Sequence, residues 1–518
     1  MSGQGNSAGA HLLVTDTSLH FDCADEAATG RLAQDLAAVL KPGDCLLLVG
    51  DLGAGKSTFA RALIRSVAGD DDLEVPSPTF TLVQTYDLAR LPIAHFDLYR
   101  LEEAEEIEEL ALDEALEGGA ALIEWPERAS GHLPARATVI RIEPLDHPTG
   151  RRISLHMPDD DFAGRVARSR EIREFLDQAG WPAARRVPLQ GDASSRAYET
   201  VHRNGETAVL MNAPARPDGP PVRDGLPYSR LVHLAEDVRP FVAVGKGLRR
   251  AGFAAPEIYA ADLDAGLLLL EDLGREGVVR EGAPIAERYA AAVDLLADFH
   301  AIAMPEETPL PDGTLYRLPR YDQRALLFEA ELFFDWYLPY AGAAPDEGLR
   351  AEFIALWRNA LAMMSDSDTT WVLRDYHSPN LIWREERTGN GRLGLIDFQD
   401  AVIGPAAYDL GSLLFDARVT VPAPLERELF ARYVAGRRLH DADFDADRFA
   451  RDYAILSAQR LSKIFGIFVR LARRDGKPGY LAHLPRLEAY MAKALSHPLL
   501  EELRAWYRAR GLNIPSIG

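Results

Sequence analysis

A glycine-rich loop between an apolar run and a helical pattern contains the first residues that could do chemistry. The segment Gly50 to Ser57 fits G-x-x-x-x-G-K-[ST], and it follows the apolar run CLLLV. Main-chain N–H groups and the helix N-terminus would hold phosphate oxygens there, with Lys56 on the β- and γ-phosphates and the Ser57 hydroxyl on Mg²⁺. A plain glycine turn is the alternative, and the flanking strand and helix patterns argue against it. The predicted ATP-binding residues of this loop are Gly50, Gly53, Ala54, Gly55, Lys56, Ser57 and Thr58.

A second group, in the C-terminal half, has the spacing of a phosphoryl-transfer site. Asp375 is followed five residues later by Asn380, and Asp397 follows within an apolar strand pattern. Kinase chemistry needs a carboxylate near the acceptor hydroxyl, together with an Asn and a second Asp for Mg²⁺. This order assigns Asp375 as the catalytic base and Asn380 and Asp397 as metal ligands. Asp409 is expected to hold the loop in place structurally.

Three polar residues of the N-terminal half are candidates for managing a metal ion and an attacking water. Thr79 lies in the proline-interrupted stretch VPSPTF, while Asp97 and Glu124 end two short apolar strands. Acidic residues at the carboxyl ends of strands occupy the position where Mg²⁺ and water are handled in such sheets. Thr79 could sense the γ-phosphate, or its segment could be a rigid surface turn. Taken alone, each carboxylate is more often a solvated side chain.

Periodicity predicts the elements that must position the first group. Asp25 to Leu40 and Ser57 to Val67 have helical spacing, and Arg165 to Leu176 is expected to start a new helix after a polar break. The six glutamates of Glu102 to Glu109 favour an exposed helical face, with docking of a basic partner as the alternative. The expected strands are Cys45 to Val49, Thr81 to Tyr86, Ile93 to Tyr99 and Leu122 to Trp125.

The second group requires a lobe that covers a nucleotide, and the sequence has a pattern for one. Three short strands between Val187 and Met211 are joined by a glycine loop, 191–195, and an Asn-Gly turn. The loop would cover ATP phosphates, so Ser194 and Arg196 are predicted ATP-binding residues. Glu271 and Asp272, at the end of the run GLLLLED, would frame the adenine through the backbone of a hinge, or would form a solvated turn. The predicted ATP-binding residues here are Glu271 and Leu273.

The sequence indicates the residues that contact the acceptor less clearly than those that contact the nucleotide. Tyr321 to Leu338 is an aromatic-rich helical stretch in which Glu331, Trp336 and Tyr337 could stack on and hydrogen-bond a sugar. Aromatic stripes at helical spacing more often face a core, so a packing role is the alternative. His300, among apolar neighbours, is expected to be a structural histidine.

Composition limits the class of protein. The chain has 518 residues, 47% hydrophobic and 26% charged, which predicts a soluble, multidomain protein without a membrane span. The N-terminal residues lack a signal-peptide pattern, and the two cysteines, Cys23 and Cys45, fit a reduced cytoplasm. Residues 1–157 contain 12 Lys and Arg against 26 Asp and Glu, within a net charge of −22. This balance argues against a broad grip on nucleic acid, so a partner would hold any RNA.

The N-terminal motifs together resemble the bacterial TsaE family. GDLGAGKSTFAR, VPSPTF, HFDLYR and IEWPER occur in the order found in that family, over about residues 20–157. The resemblance implies an α/β P-loop NTPase domain with Mg·ATP that works in tRNA threonylcarbamoyladenosine modification. Its partners would be the threonylcarbamoyl transferase subunit and a companion subunit. It also implies that Lys56 contacts phosphate and that Ser57 and Glu124 hold Mg²⁺. Thr79 would belong to a switch segment, and Asp97 would position water.

The C-terminal motifs resemble the aminoglycoside phosphotransferase-like kinases. GDASSRAY, LMNAP, LLEDLG, LRDYHSPNLIW and LIDFQDAVIGPAAYDLGSLL are most similar to the AmgK branch, over about residues 168–518. The resemblance implies a bilobal α+β protein-kinase-like domain that phosphorylates the anomeric hydroxyl of N-acetylmuramate and N-acetylglucosamine with Mg·ATP. Leu373 stands where a catalytic-loop His is common, and Met211 where a phosphate-binding Lys is usual. The second departure leaves phosphate neutralisation to Mg²⁺ and Arg196.

The combined expectation is a two-headed cytoplasmic enzyme whose heads each bind Mg·ATP. The predicted bounds are a tail at 1–19, a P-loop ATPase at 20–157, a linker at 158–167, a small lobe at 168–275 and a large lobe at 276–518. One alternative is a kinase for another small alcohol, such as choline, homoserine or an aminoglycoside. A nucleotide-binding scaffold with little turnover, suggested by Met211, is another. For the first head, the alternative is an ATP-gated interaction module.

Overall fold

The computed structural model describes residues 17–189 and 196–514. The chain forms two compact units, Met1–Met211 and Asn212–Gly518, and each is described by itself. The boundary between the units falls inside the predicted small lobe, 168–275, so the predicted domain bounds stay predictions.

The described part of the first unit contains a large sheet, four helices and three further strands. Its strands are β1 Thr17–Cys23, β2 Cys45–Val49, β3 Val83–Tyr86, β4 Ile93–Asp97, β5 Ala120–Glu124, β6 Thr138–Pro144, β7 Arg151–Met157, β8 Arg185–Leu189, β9 Ala197–Arg203 and β10 Glu206–Asn212. Its helices are α1 Glu26–Val39, α2 Lys56–Ala68, α3 Leu112–Gly118 and α4 Asp160–Gln178, with 3₁₀ turns at Ala104–Leu110 and Pro126–Ala129.

The large sheet has the strand order β1-β7-β6-β2-β5-β4-β3. Strand β2 runs parallel to β5 and β6, and β4 runs parallel to β5. One layer of core, including Leu36, Phe59 and Leu63, lies under α1 and α2, and another, including Phe96 and Ile123, covers the opposite face. A strand covered on both faces can be apolar throughout, which explains the run CLLLV of β2. The carboxyl ends of β2, β4 and β5 consequently meet at one edge.

The glutamate-rich stretch differs from the predicted helix. Residues Ala104–Leu110 form a 3₁₀ turn, and α3 starts only at Leu112. Ile107 is buried, whereas most of the glutamates around it are exposed, as predicted.

Helix α4 passes through most of the predicted linker at 158–167. The helix begins at Asp160 because the Asp159 carboxylate caps it, accepting hydrogen bonds from the main-chain N–H groups of Asp161 and Phe162. Phe162 and Val166 pack into the core under α1 and α2. The polar run at Asp159 to Asp161 is therefore a helix cap rather than a flexible break, and the helix starts before the predicted Arg165.

A buried ion network fastens strands β8 and β9 to helices α1 and α4. The Arg186 guanidinium donates to both oxygens of Glu199, at 2.6 and 2.8 Å, and to Asp35 Oδ1 at 3.1 Å. Arg173 on α4 donates to the same Asp35 carboxylate. The Arg186 side chain is 1% exposed, so the network is shielded from solvent.

The described part of the second unit is mainly helical with short two-stranded pairings. Its strands are β11 Ile258–Asp262, β12 Leu267–Glu271, β13 Val279–Arg280, β14 Ala283–Pro284, β15 Glu307–Pro309, β16 Leu315–Arg317, β17 Thr369–Val372, β18 Leu381–Trp383, β19 Leu393–Leu395 and β20 Val402–Pro405. Its helices are α5 Tyr228–Leu231, α6 Arg239–Arg250, α7 Ala286–Phe299, α8 Gln323–Leu332, α9 Leu338–Tyr340, α10 Glu347–Ala362, α11 Ala407–Leu414, α12 Ala423–His440, α13 Ala446–Arg473, α14 Leu484–Ala494 and α15 Glu501–Ala509.

Short strands and one long helix frame the Asp375 segment of the second unit. Strand β17 pairs with β20, β18 pairs with β19, and the loop between β17 and β18 contains Asp375 and Asn380. The 28-residue helix α13 packs against α8 and α11. The predicted aromatic helix, Tyr321 to Leu338, is instead split into α8, a π-helical turn at Phe333–Tyr337 and α9. Across the described residues, we find no helix with both the length and the apolar character needed to cross a membrane.

Candidate functional sites

The glycine loop of the first unit has the backbone geometry that the motif predicts. Gly55 caps α2 with φ +111°, a conformation that L side chains rarely adopt, and it directs the first N–H groups of the helix toward the loop. At Gly50, a Cβ atom would lie 2.5 Å from the carbonyl oxygen of Ile142 on β6, so a side chain does not fit. The loop is thus a preformed concave surface of N–H groups at a helix N-terminus, which suits phosphate.

Lys56 lies inside this loop. Its Nζ donates to the carbonyl oxygens of Gly50 and Asp51, at 2.7 and 3.0 Å, and lies 3.6 Å from the ring centroid of Trp125. Burial lowers the pKa of the Lys56 ammonium, while the nearby Glu124 charge acts in the opposite direction. The loop therefore holds a shielded cation at the position that the motif assigns to the β- and γ-phosphates.

Glu124 and Asp97 are neighbours at the strand ends. They are directly opposite each other across β5 and β4, and both are buried. The Ser57 hydroxyl donates to Glu124 Oε2 at 3.0 Å, which brings together the two predicted Mg²⁺ ligands. The Thr79 hydroxyl donates to Asp97 Oδ2 at 2.8 Å, so the Thr79 segment is tied to the site and is not an isolated surface turn. Hydroxyl and carboxylate oxygens are ligands that suit Mg²⁺.

Four contributors to this site were not singled out from the sequence. The His95 ring lies 3.0 Å from Glu124 Oε1, and Ser77 donates to Asp97 at 2.9 Å. Trp125 covers Lys56, and Arg151 Nε donates to the Ala54 carbonyl oxygen at 2.7 Å. Strand alternation was a usable signal for His95, since residues two apart on β4 share a face with Asp97. Arg151 is distant in sequence, and no local pattern indicates it.

In the second unit, Asp375, Asn380 and Asp397 line one cavity. Asn380 Nδ2 donates to the Asp375 carbonyl oxygen at 2.9 Å, and the N–H of Ile396 donates to the Asn380 carbonyl oxygen at 3.2 Å. Gln399 Nε2 donates to Asp397 Oδ1 at 2.9 Å. The structure therefore brings together the three residues that the sequence assigns to catalysis and metal binding, and their oxygen atoms suit Mg²⁺.

The Asp409 side chain holds the backbone of the loop that contains Asp375, as predicted. Its carboxylate accepts the main-chain N–H groups of Leu373 at 2.7 Å and Arg374 at 2.9 Å. His300 is fully buried, bonds Tyr433 through Nδ1 at 2.8 Å, and places Nε2 3.7 Å from Asp409. These contacts confirm the structural roles expected for Asp409 and His300. Because the bonds use the backbone, Leu373 serves at this position without a polar side chain.

Arg374, the residue before Asp375, has an unusual backbone conformation and a buried, ion-paired side chain. Its φ of +65° is unusual for a residue with a side chain, and it turns the chain so that Asp375 faces the cavity. Its guanidinium is 1% exposed and pairs with the buried Glu329, which also accepts Lys463 Nζ at 2.9 Å. Such local strain is retained where surrounding contacts over-determine it.

The charges around Asp375 keep its carboxyl ionised. Burial works against the charged form, but His377, Lys463, Arg460 and Arg374 together hold the pKa of Asp375 below its usual value. Burial lowers the pKa of His377 to about 4, so that imidazole is neutral at pH 7. At neutral pH the lasting positive charges come from Lys463, Arg460 and Arg374.

The structure does not test the remaining predicted contacts with the nucleotide, which lie in the predicted kinase region. Ser194 lies outside the described residues, and Arg196 is half-buried. The Glu271 carboxylate pairs with Arg384 at 3.0 Å, and Leu273 is buried. These four assignments stay predictions.

Two of the three predicted sugar contacts have partners within the protein. Glu331 is buried, and its carboxylate is engaged by Arg223 and Arg350. Tyr337 stacks on Phe333 and is buried, as the alternative of a core-facing stripe expects. Both side chains therefore help to hold the fold, and their contact with a sugar stays a prediction. Trp336 is half-buried, and its role stays a prediction.

Comparisons with known proteins match two parts of the chain to two families. The family described as "Threonylcarbamoyl adenosine biosynthesis protein TsaE" matches residues 23–153. The family described as "Phosphotransferase enzyme family" matches residues 185–449, half of the chain.

Individual relatives divide the chain in the same way. An N-acetylmuramate/N-acetylglucosamine kinase of Caulobacter vibrioides is 39% identical over 64% of this chain and 94% of its own length. The kinase of the same name from Pseudomonas aeruginosa is 34% identical, over 64% and 91%. The tRNA threonylcarbamoyladenosine biosynthesis protein TsaE of Rickettsia felis is 46% identical over 24% of this chain and 71% of its own length. The chain therefore belongs to the phosphotransferase enzyme family through its C-terminal part and to the TsaE family through its N-terminal part.

Proposed function

We propose that the C-terminal part is an ATP-dependent kinase for the anomeric hydroxyl of N-acetylmuramate and N-acetylglucosamine. The observation that carries this proposal is the single cavity lined by Asp375, Asn380 and Asp397, together with Asp409 fastening the loop backbone. The names of the Caulobacter and Pseudomonas relatives support the choice of substrate.

The chain's own residues divide the work of the proposed reaction. Asp375 is ionised and 34% of its side chain is exposed, so it can accept a hydrogen bond from the sugar hydroxyl and take its proton. Asn380 and Asp397 would hold Mg²⁺, which supplies charge neutralisation to the transferring phosphoryl group when bound. Met211, buried on β10, offers no cation at the usual lysine position, so we expect weaker nucleotide affinity rather than a different reaction.

Transfer of labelled γ-phosphate from ATP tests the kinase proposal. The acceptors are the two amino sugars, choline, homoserine and an aminoglycoside, with wild type, Asp375→Asn and Lys56→Ala. We expect labelled amino sugar from wild type and Lys56→Ala, and none from Asp375→Asn. Preference for another acceptor would replace the proposed substrate, and no product from any acceptor would favour the scaffold alternative.

We further propose that the N-terminal part is an ATPase that acts in tRNA threonylcarbamoyladenosine modification with a transferase subunit and its companion. The cluster of Lys56, Ser57, Thr79, Asp97 and Glu124 at one sheet edge supports ATP hydrolysis. The glycine loop and Lys56 would hold the phosphates, and Asp97 would orient the attacking water. Ser57 and Glu124 would hold Mg²⁺, which supplies positive charge to the phosphates when bound.

Hydrolysis measured with and without partners tests this second proposal. We expect slow ATP turnover alone and faster turnover with the purified transferase and companion subunits. Lys56→Ala should abolish it, while Asp375→Asn should leave it unchanged. Turnover that partners do not alter would contradict an assembly-coupled ATPase.

A further inference from the structure

Helix α13 places two cations beside the catalytic carboxylate. Arg460 and Lys463 are one helical turn apart, and both contribute to lowering the pKa of Asp375. Their surroundings differ. Lys463 is bonded to Glu329 at 2.9 Å, whereas Arg460 lies 3.7 Å from Asp375 Oδ1.

Arg460 keeps donors available although it is nearly buried. It is 6% exposed, and within 17–189 and 196–514 its pairing with Asp375 is the one ion pair that it makes. Charge-assisted hydrogen bonds are usually about 2.7–2.9 Å long, so a separation of 3.7 Å does not satisfy the guanidinium. None of its nitrogens is among the buried, unpartnered side-chain atoms of the described residues, so its unused N–H groups reach solvent and can bond an anion. Its planar fork matches a carboxylate by two parallel bonds.

The position of Arg460 favours the acceptor over the phosphoryl donor. Its contact is with Asp375, the residue that faces the acceptor hydroxyl in the proposed reaction. Among the described residues it makes no ion pair with Asp397, which is assigned to the metal. N-acetylmuramate carries a carboxylate on its ether side chain, and N-acetylglucosamine has only a hydroxyl there.

We propose that Arg460 determines specificity by binding a carboxylate of the acceptor, so that the site prefers an acidic amino sugar. This inference rests on the proposed kinase function and adds a residue to it. Lys463 cannot substitute for Arg460, because its ammonium is committed to Glu329.

Steady-state kinetics with both sugars tests the assignment. Arg460→Gln should lower kcat/KM for N-acetylmuramate about 10- to 100-fold, mainly through KM. It should lower kcat/KM for N-acetylglucosamine by a clearly smaller factor, because the loss of a charge beside Asp375 affects both sugars. Arg460→Lys should retain part of the preference, since it keeps the charge but loses the fork. Arg473→Gln, on an exposed position of α13, is the matched control and should change neither substrate.

A neutral substrate gives a second, independent measurement. The methyl ester of N-acetylmuramate keeps the bulk of the side chain and removes its charge. Wild type should phosphorylate this ester as poorly as Arg460→Gln phosphorylates N-acetylmuramate. Arg460→Gln should show no further loss when the ester replaces N-acetylmuramate. Turnover of N-acetylglucosamine by Arg460→Gln shows that the variant is folded.

The outcomes separate failure of this inference from failure of the kinase proposal. An equal loss with both sugars would place Arg460 on Asp375 or on the γ-phosphate, and would overturn the assignment alone. Absence of product from both sugars with the wild-type chain would overturn the kinase proposal and the assignment with it.

Discussion

Glu329 on α8 is the side chain whose neutralisation we expect to cost the second unit the most. The residue is fully buried, and its carboxylate serves Arg374 and Lys463 together. Tyr321 also donates to it. Glu329→Gln keeps the volume of the side chain and removes its charge, so the substitution tests electrostatics with little change in packing.

The magnitude follows from what the substitution leaves behind. Arg374 and Lys463 have side chains that are 1% and 13% exposed, so water cannot replace the lost carboxylate. Removing one partner of a buried ion pair typically costs about 3–5 kcal/mol. Burial lowers the pKa of Lys463 while Glu329 raises it above its usual value, so loss of Glu329 also favours the neutral amine and moderates the cost. We expect about 3 kcal/mol.

Urea unfolding followed by tryptophan fluorescence measures this change in the free energy of unfolding. The transition of the second unit is identified as the one whose midpoint rises when ATP or the sugar is added. Sugar phosphorylation should also fall, because Arg374 turns the chain into Asp375. Glu307→Gln is the matched control, since its pair with Arg317 is solvent-exposed and its loss should leave the stability nearly unchanged. A loss below about 1 kcal/mol for Glu329→Gln, or one equal to the control, would refute the reasoning.

Three further outcomes are expected. Arg186→Met strands buried carboxylates and should destabilise the first unit by about 3 kcal/mol in urea unfolding, and a loss under about 1 kcal/mol would contradict the network's role. Gly50→Ala places a methyl group against a carbonyl oxygen of β6 and should reduce ATP hydrolysis at least about tenfold, whereas Gly30→Ala, within α1 and in open space, should not. Burial lowers the pKa of His300, so the folded chain binds fewer protons there than the unfolded chain. The stability from this group is complete above the unfolded pKa of about 6.5 and decreases as pH falls below it. His300→Gln should therefore show a smaller loss of stability between pH 7 and 5, and an unchanged pH dependence would argue against this assignment.

The two candidate site loops were predictable because each is a local motif. Gly55 and Lys56 specify a turn and a helix start within a few residues, and the spacing of Asp375 to Asn380 places both on one loop. Residues so close in sequence have few relative arrangements, so residue types and spacing alone indicate their chemistry.

Boundaries were less predictable than motifs. The polar run at Asp159 to Asp161 reads equally as a linker or as a helix cap, and the burial of Phe162 in the neighbouring core decides for the helix. The aromatic stretch is divided at Phe333–Tyr337 by a π-helical turn that periodicity does not indicate. For the polar run, tertiary packing chose between the two local alternatives.

The amino-acid sequence by itself determined which two families of phosphate chemistry this chain belongs to, because the loops predicted to hold phosphate and metal are encoded by adjacent residues. Only the tertiary structure decided what surrounds them. The contact of His95 with Glu124 depends on the order of strands β4 and β5, and that of Arg460 with Asp375 on the packing of α13. Side chains 29 residues apart or more meet only after long-range packing has selected one arrangement, and this selection decides which charges are shielded, paired or free to bind.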